Sequence, residues 1–167
     1  MSDKTGMDIV SINAAYRADR ATPDGFLTRL LKHIETHDGK IGAFSSISTT
    51  LLEDAGKSRD RWQQRCPVGV MDGVPVIVKD NLVSKGLPAS WGNAELATRV
   101  CLEDEIPVAR LRSAGAVVVG KGNCPEFAVE GYTANQTFGA THNPYDPLLT
   151  PGGSSGGVVA AVAAGFA

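Results

Sequence analysis

The sequence predicts an α/β fold in which helices cover a mixed, largely parallel sheet. Two nearly continuous apolar runs, 74–78 and 116–119, have the pattern of strands that are buried on both faces. A helical pattern over 103–113 lies between them and ends at Gly115, the residue type that commonly follows a helix. A chain that alternates helices with buried strands favours a parallel or mixed sheet.

The residues before the first buried run predict mainly helices. Apolar residues at helical spacing predict helices over 7–20 and 22–38, and Asp38-Gly39 is expected to end the second one. Residues 41–44 are a short strand candidate. The polar stretch 51–64 predicts an exposed helix.

Composition excludes several classes of function. Hydrophobic residues make up 43% of the chain and charged residues 20%, as is usual for a globular domain. The formal net charge of −2 provides no electrostatic footprint for nucleic acid. Cys66, Cys101 and Cys124 are too far apart to suggest a zinc site, and we expect each to be a small buried apolar residue. No segment has the length of a membrane span or secretory signal, so we expect a cytoplasmic protein with reduced thiols and with neither metal nor cofactor.

The stretch TPGGSSGG, residues 150–157, is the first candidate for chemistry. Gly152 and Gly153 precede Ser154 and Ser155, and the small apolar residues 158–164 predict a buried helix directly afterwards. The two hydroxyls therefore lie at the N-terminus of a helix, where unpaired N–H groups favour negative charge.

Lys79 is the second candidate, because it follows the buried run 74–78. Open α/β sheets bind ligands at the carboxyl ends of their strands, and a partly desolvated lysine can act as a base. A solvated lysine that caps a strand is the commoner alternative on position alone. Asp80 and Asn81 are expected to be turn or capping residues.

Histidine-based serine chemistry has little support in this sequence. His33 and His37 are predicted to be surface residues and His142 a loop residue, so no Ser-His-Asp triad is indicated. A Ser–Lys arrangement remains, in which a neutral lysine takes the proton of a serine.

Several segments, taken together and in order, resemble the amidase signature family. They are GVPVIVKDN at 73–81, GLPASWGN at 86–93, PVARLRSAGAVVVGKGNCPEF at 107–127, FGATHNPYD at 138–146 and TPGGSSGG at 150–157. The resemblance covers nearly all of residues 67–167 and, more loosely, the N-terminal helices. It implies an incomplete amidase signature fold with an N-terminal helical segment, 1–66, and the first part of the catalytic core, 67–167.

The resemblance also implies a reaction, the hydrolysis of a carboxamide by a Ser–cis-Ser–Lys triad. Lys79 matches the family's base, and Ser154 matches the bridging serine, whose peptide bond is cis. Gly152, Gly153 and Ser155 would support the loop. The family's nucleophilic serine lies in a later glycine-rich segment, which would fall beyond Ala167, so we expect this chain alone to be inactive.

Three functions remain open at this point. The first is an amidase that acts on a small-molecule amide, without direct contact to nucleic acid or membrane. The second is the glutaminase subunit of a tRNA-dependent amidotransferase, which needs a further protein as its partner. The third is a truncated, non-catalytic binding or regulatory module. The apolar end, 158–167, argues against this module unless a homo-oligomer or a C-terminal remainder covers it.

Overall fold

The computed structural model describes residues 8–167, which form five helices, five strands and two short 3-10 turns. The predicted start of the first helix at Met7 lies outside the described residues. In chain order the elements are α1 (Ile9–Arg17), α2 (Pro23–Ile41), β1 (Phe44–Ile47), α3 (Leu51–Gln63), β2 (Pro75–Lys79), α4 (Ile106–Ser113), β3 (Val117–Gly122), β4 (Ala134–Asn135), β5 (Gly139–Ala140) and α5 (Gly156–Ala163). The 3-10 turns are Leu96–Thr98 and Glu126–Ala128.

The main sheet has three strands in the order β1-β3-β2, with β3 in the centre. Strand β2 runs parallel to β3, and β1 runs antiparallel to it. The predicted α/β class with a mixed sheet is therefore confirmed. Strand β1 belongs to the predicted N-terminal helical segment, yet it pairs directly with a strand of the second segment.

Strand β3 is buried along its whole length because helices cover both faces of the sheet. Val117 and Val119 point into one apolar cluster, which α2, α3 and α5 complete. Val118 points to the other face, where it packs with Val78 of β2 and Val108 of α4. This alternation on a strand covered from both sides explains why β3 reads as a continuous apolar run.

The end of α2 differs from the prediction. The helix continues past Asp38-Gly39 to Ile41 and ends at Gly42, which adopts a left-handed conformation with φ 65°. The Asp38 carboxylate accepts hydrogen bonds from the backbone N–H groups of Ala43 at 2.7 Å and Phe44 at 3.4 Å. Asp38 thus ties the helix to the next strand, which begins at Phe44 instead of at Ile41.

Helix α3 is not the exposed helix that its polarity predicted. Its buried residues share one face: Leu51, Ala55, Ser58 and Trp62. Ser58 donates to the fully buried carboxylate of Asp72 at 2.6 Å, and Arg61 donates to the same carboxylate. Burial acts to raise the pKa of Asp72, but the hydrogen bonds from Arg61 and Ser58 outweigh it and hold this pKa below its usual value.

Two later helices also depart from the prediction. Helix α4 begins at Ile106, three residues after the predicted start, and the predicted Gly115 follows it with φ 92°. Helix α5 is buried on one side only, through Gly156, Gly157, Ala160 and Ala161. On its other side Val159 is 55% exposed and Val162 is 57% exposed, so the prediction of a buried helix is wrong for that face. No helix among the described residues is long and apolar enough to cross a membrane.

Candidate active site at the ends of β2 and β3

Lys79 and Ser154 meet at the carboxyl end of β2. Lys79 is the last residue of this strand and is half-buried. Its Nζ donates a hydrogen bond to Ser154 Oγ over 2.6 Å, although the two residues are 75 positions apart. The fold therefore brings together the two residues that the sequence nominated separately.

The glycine–serine turn is held closely by its surroundings. The Gly153–Ser154 peptide bond is cis, as the resemblance implied for this serine. A Cβ on Gly153 would lie 2.7 Å from the backbone N and O of Tyr132, so only glycine fits there. Thr133 donates from Oγ1 to the carbonyl of Gly152 at 2.8 Å and accepts from the N–H of Gly156 at 3.1 Å. The turn is thus fixed on both sides of Ser154.

The start of α5 is attached to the end of β3. The N–H of Gly157 donates to the carbonyl of Asn123 at 3.0 Å, and the N–H of Asn123 donates to the carbonyl of Ala43 at 2.8 Å. A Cβ on Gly157 would collide with the backbone of Asn123. Ser155 stands before the helix, half-buried, and makes no side-chain capping hydrogen bond. Its role in support of the loop stays a prediction.

Asp80 lies in the turn after β2 as predicted, since the N–H of Leu82 donates to the carbonyl of Lys79, but its side chain is fully buried and does more than shape the turn. Its carboxylate accepts hydrogen bonds from Ser45 Oγ at 2.7 Å, from the N–H of Gly92 at 3.1 Å and from Ser90 Oγ. Sequence reasoning missed this role. The available signal was that Ser90 and Gly92 lie in GLPASWGN, one of the segments that carry the resemblance.

Lys121 is the second residue that sequence reasoning missed. The predicted strand ended at Val119, which left Lys121 in an apparent turn, whereas β3 continues to Gly122 and Lys121 is fully buried. Its Nζ donates to the backbone carbonyls of Asp80 at 3.1 Å and Pro88 at 3.0 Å, and to that of Leu82. Burial lowers the pKa of Lys121, while the nearby Asp80 carboxylate acts in the opposite direction.

The contacts described for the three histidines include neither Lys79 nor Ser154. His37 is exposed as predicted, and His142 lies in a loop as predicted, with its Nδ1 2.9 Å from the carbonyl of Pro147. His33 is only partly exposed, since its ring contacts Phe166 edge-on at 5.3 Å and its Nε2 lies 3.0 Å from the carbonyl of Ala164. His33 is therefore a surface residue whose ring is partly covered. Within residues 8–167, no group of three or more His, Cys, Asp or Glu side chains could hold a metal ion.

The cysteines fall into different environments. Cys124, just beyond β3, is fully buried, and burial raises the pKa of its thiol to about 11. Cys66 is exposed, so the expectation of a small buried apolar residue is wrong there, and Cys101 is intermediate. A groove of about 260 Å³ lies along α1, between Ile9 and Val70, and includes neither Lys79 nor Ser154.

Known proteins are similar in sequence to most of this chain. A model of the family described as Amidase matches residues 26–167. The A subunit of glutamyl-tRNA(Gln) amidotransferase from Alkaliphilus metalliredigens is 36% identical over 162 residues, which are 96% of this chain and 33% of the relative. The protein of the same name from Anaeromyxobacter sp. (strain K) is 43% identical over 139 residues, 81% of this chain and 28% of the relative.

Solved structures agree with the sequence matches. The native peptide amidase from Stenotrophomonas maltophilia superposes with a TM-score of 0.91 at 29% identity, over 98% of this chain and 35% of that one. The chain thus spans about a third of the length of the proteins that it matches. Because the family model covers more than half of the sequence, and the solved structure reproduces the fold, the chain belongs to the amidase family.

Proposed function

We propose that this chain contributes the lysine base and the bridging serine of an active site that hydrolyses carboxamides. The observation that carries the proposal is the 2.6 Å contact between Lys79 Nζ and Ser154 Oγ at the carboxyl end of a strand. A neutral amine at this distance can accept the hydroxyl proton, which is the chemistry that a Ser–Lys arrangement requires.

The reaction then proceeds through a proton relay. Lys79 takes the proton of Ser154, and Ser154 takes the proton of a second serine, which attacks the amide carbonyl. The tetrahedral intermediate collapses as the same relay returns a proton to the leaving nitrogen, and ammonia or an amine departs. Water then hydrolyses the acyl-enzyme by the same route. We propose that the second serine comes from polypeptide outside these 167 residues.

A chimeric enzyme tests the roles of both residues. This chain would replace the matching third of the Stenotrophomonas maltophilia peptide amidase, and release of ammonia from a peptide amide would be measured. We expect Lys79→Ala and Ser154→Ala each to lower kcat by at least about 10³-fold, because members of a catalytic relay act as a unit. Ser155→Ala is the matched control and should cost about ten-fold or less. Full activity of Lys79→Ala would refute the proposal.

The isolated chain is expected to release no ammonia from simple aliphatic or aryl amides. This expectation follows from the proposed external nucleophile, because removal of a nucleophile commonly costs several powers of ten in rate. Turnover by the purified chain that disappears in Lys79→Ala would show that the expectation is wrong.

A glutaminase subunit of an amidotransferase is the second candidate function. The relatives named as the A subunit of glutamyl-tRNA(Gln) amidotransferase favour it, at 36% and 43% identity. In that case the substrate is glutamine, and a partner protein, not this chain, would contact the tRNA. Ammonia release from glutamine, compared with release from a peptide amide or an anilide by the same protein, separates the two candidates.

Further proposals concern the setting of the activity. The net charge of −2 supports the absence of direct nucleic-acid binding, and we propose a cytoplasmic location. We also propose the division of the sequence into a helical segment, 1–66, and the first part of the catalytic core, 67–167. A non-catalytic module would have to cover the exposed Val159 and Val162, through a homo-oligomer or a C-terminal remainder. Calorimetry that shows no cooperative unfolding of the isolated chain would count against a self-sufficient module.

A further inference from the structure

Lys121 ties together the loop that follows Lys79. Its ammonium group donates to the carbonyls of Asp80 and Leu82 at the start of this loop, and to the carbonyl of Pro88 at its end. One buried side chain thus joins both ends of residues 80–88 and anchors them to β3, the central strand of the sheet.

The Asp80 carboxylate fixes the same loop through separate hydrogen bonds. It accepts from Ser45 in β1, and from Ser90 and the N–H of Gly92 at the far end of the loop. The buried ammonium and the buried carboxylate are also close enough to interact electrostatically. Each charge therefore offsets part of the desolvation cost of the other.

Burying an ammonium group at position 121 costs free energy, because the charge loses its contact with water. The neighbouring residues of β3, Val117 to Val119, are apolar, and an apolar side chain at position 121 would avoid the cost of burying a charge. Three backbone carbonyls would then lose their donor. A lysine at this position is explained if its side chain has to hold the irregular backbone of residues 80–88 in one conformation. Its three N–H donors match the three carbonyl acceptors.

We propose that Lys121 is a positioning residue for Lys79. Its first acceptor is the carbonyl of Asp80, the residue directly after Lys79, so Lys121 fixes the backbone from which the Lys79 side chain extends toward Ser154. The importance of the Lys79–Ser154 contact rests on the proposed function, but the positioning itself does not require catalysis.

The test measures how fast the amine of Lys79 is acetylated in the 167-residue protein. The chain is treated with a limiting amount of acetic anhydride at fixed pH, and acetylation of each lysine is measured by mass spectrometry. Acetylation needs a free amine, so the hydrogen bond to Ser154 slows it at Lys79. In Lys121→Gln we expect Lys79 to react about ten-fold faster, near its rate in Ser154→Ala, because the hydrogen bond between Lys79 and Ser154 is lost.

Two controls distinguish positioning from general loosening. Lys85→Gln removes an exposed lysine from the same loop and should leave the rate at Lys79 within about two-fold. Amide hydrogen exchange should become faster over residues 80–92 in Lys121→Gln and stay unchanged in α2. Lys121→Arg keeps the charge and several donors, and should restore part of the protection of Lys79.

An unchanged rate at Lys79 in Lys121→Gln would overturn the proposal, as would an increase that only matches faster exchange in α2. If Lys121→Gln does not fold, Lys121→Arg is measured in its place, and we expect a rate at Lys79 between those of the parent and of Ser154→Ala, because the guanidinium cannot reproduce all three hydrogen bonds. A parental rate at Lys79 in that variant would also count against the proposal. The readout involves no turnover, so an inactive chimera would refute the proposed function alone.

Discussion

The ends of β2 and β3 lie side by side, and each carries a lysine with different partners. Lys79 ends β2, is half-buried, and donates to a serine hydroxyl. Lys121 pairs with Val78 in the adjacent strand, is fully buried, and donates to three carbonyls. A hydroxyl can give up a proton, whereas a carbonyl oxygen can only accept a hydrogen bond. The partner atoms therefore suit the first lysine to proton transfer and the second to structure.

The largest difference between the two ends should appear in stability. Lys121→Met leaves the carbonyls of Asp80, Leu82 and Pro88 without this donor and the Asp80 carboxylate without its buried counter-charge. We expect a loss of about 3–5 kcal/mol in the free energy of unfolding, measured with urea. Lys79→Met should cost less than about 1 kcal/mol, because its amine is half-buried and makes one hydrogen bond. Equal losses of unfolding free energy in the two variants would contradict the proposed difference between Lys121 and Lys79.

A smaller effect is expected from the packing between β3 and α5. A Cβ on Gly122, the strand partner of Lys79, would lie 2.6 Å from Cγ2 and 2.9 Å from the backbone N of Val158. Gly122→Ala should therefore destabilise the fold by about 1–3 kcal/mol in urea unfolding. Gly131→Ala is the control, since no atom lies within 4 Å of the added carbon, and should change stability by no more than about 0.5 kcal/mol.

The smallest expected effect is a fall in the free energy of unfolding at alkaline pH. It comes from Cys124, which lies just beyond the end of β3. Burial raises the pKa of this thiol from 9.0 to about 11, so the folded protein holds the proton more tightly than the unfolded chain. The resulting stabilisation is fully present below pH 9 and is lost as the pH rises toward about 11, by the linkage of proton binding to folding.

Urea unfolding at several pH values can isolate this contribution. The free energy of unfolding of the parent, minus that of Cys124→Ala, should fall by about 1 kcal/mol or more between pH 8 and pH 10.5. Cys66→Ala is the control, because it removes a thiol that is exposed in the folded protein. A difference for Cys124 that does not change with pH would show that its surroundings open readily.

The two strand ends also differ in how well they could be predicted. Lys79 was found because it interrupts a long apolar run and because the segment around it resembles a known family. Lys121 follows an apolar run as well, but the glycines on either side of it resemble a turn. Those glycines reflect close packing of β3 against β1 and α5, and such packing leaves no periodic pattern in one sequence.

Similar reasons explain the other differences between the predicted and the observed elements. Helix α3 appeared exposed because its buried face includes Ser58, whose partner is Asp72, fourteen residues away. Asp38-Gly39 resembled a helix end, but the Asp38 carboxylate caps the following backbone instead. A polar residue that is satisfied by a distant partner cannot be distinguished from a solvated one by local pattern alone.

The sequence by itself determined the α/β class, the presence of strands β2 and β3, and the nomination of Lys79 and Ser154, although β2 is an edge strand and only partly buried. Apolar periodicity and glycine content are local properties, so they could be read without coordinates. Only the tertiary structure decided that Lys79 meets Ser154, that Asp80 is buried and that Lys121 holds the loop beside them. Such contacts join residues that are distant in the chain, and they depend on how the strands and α5 pack together.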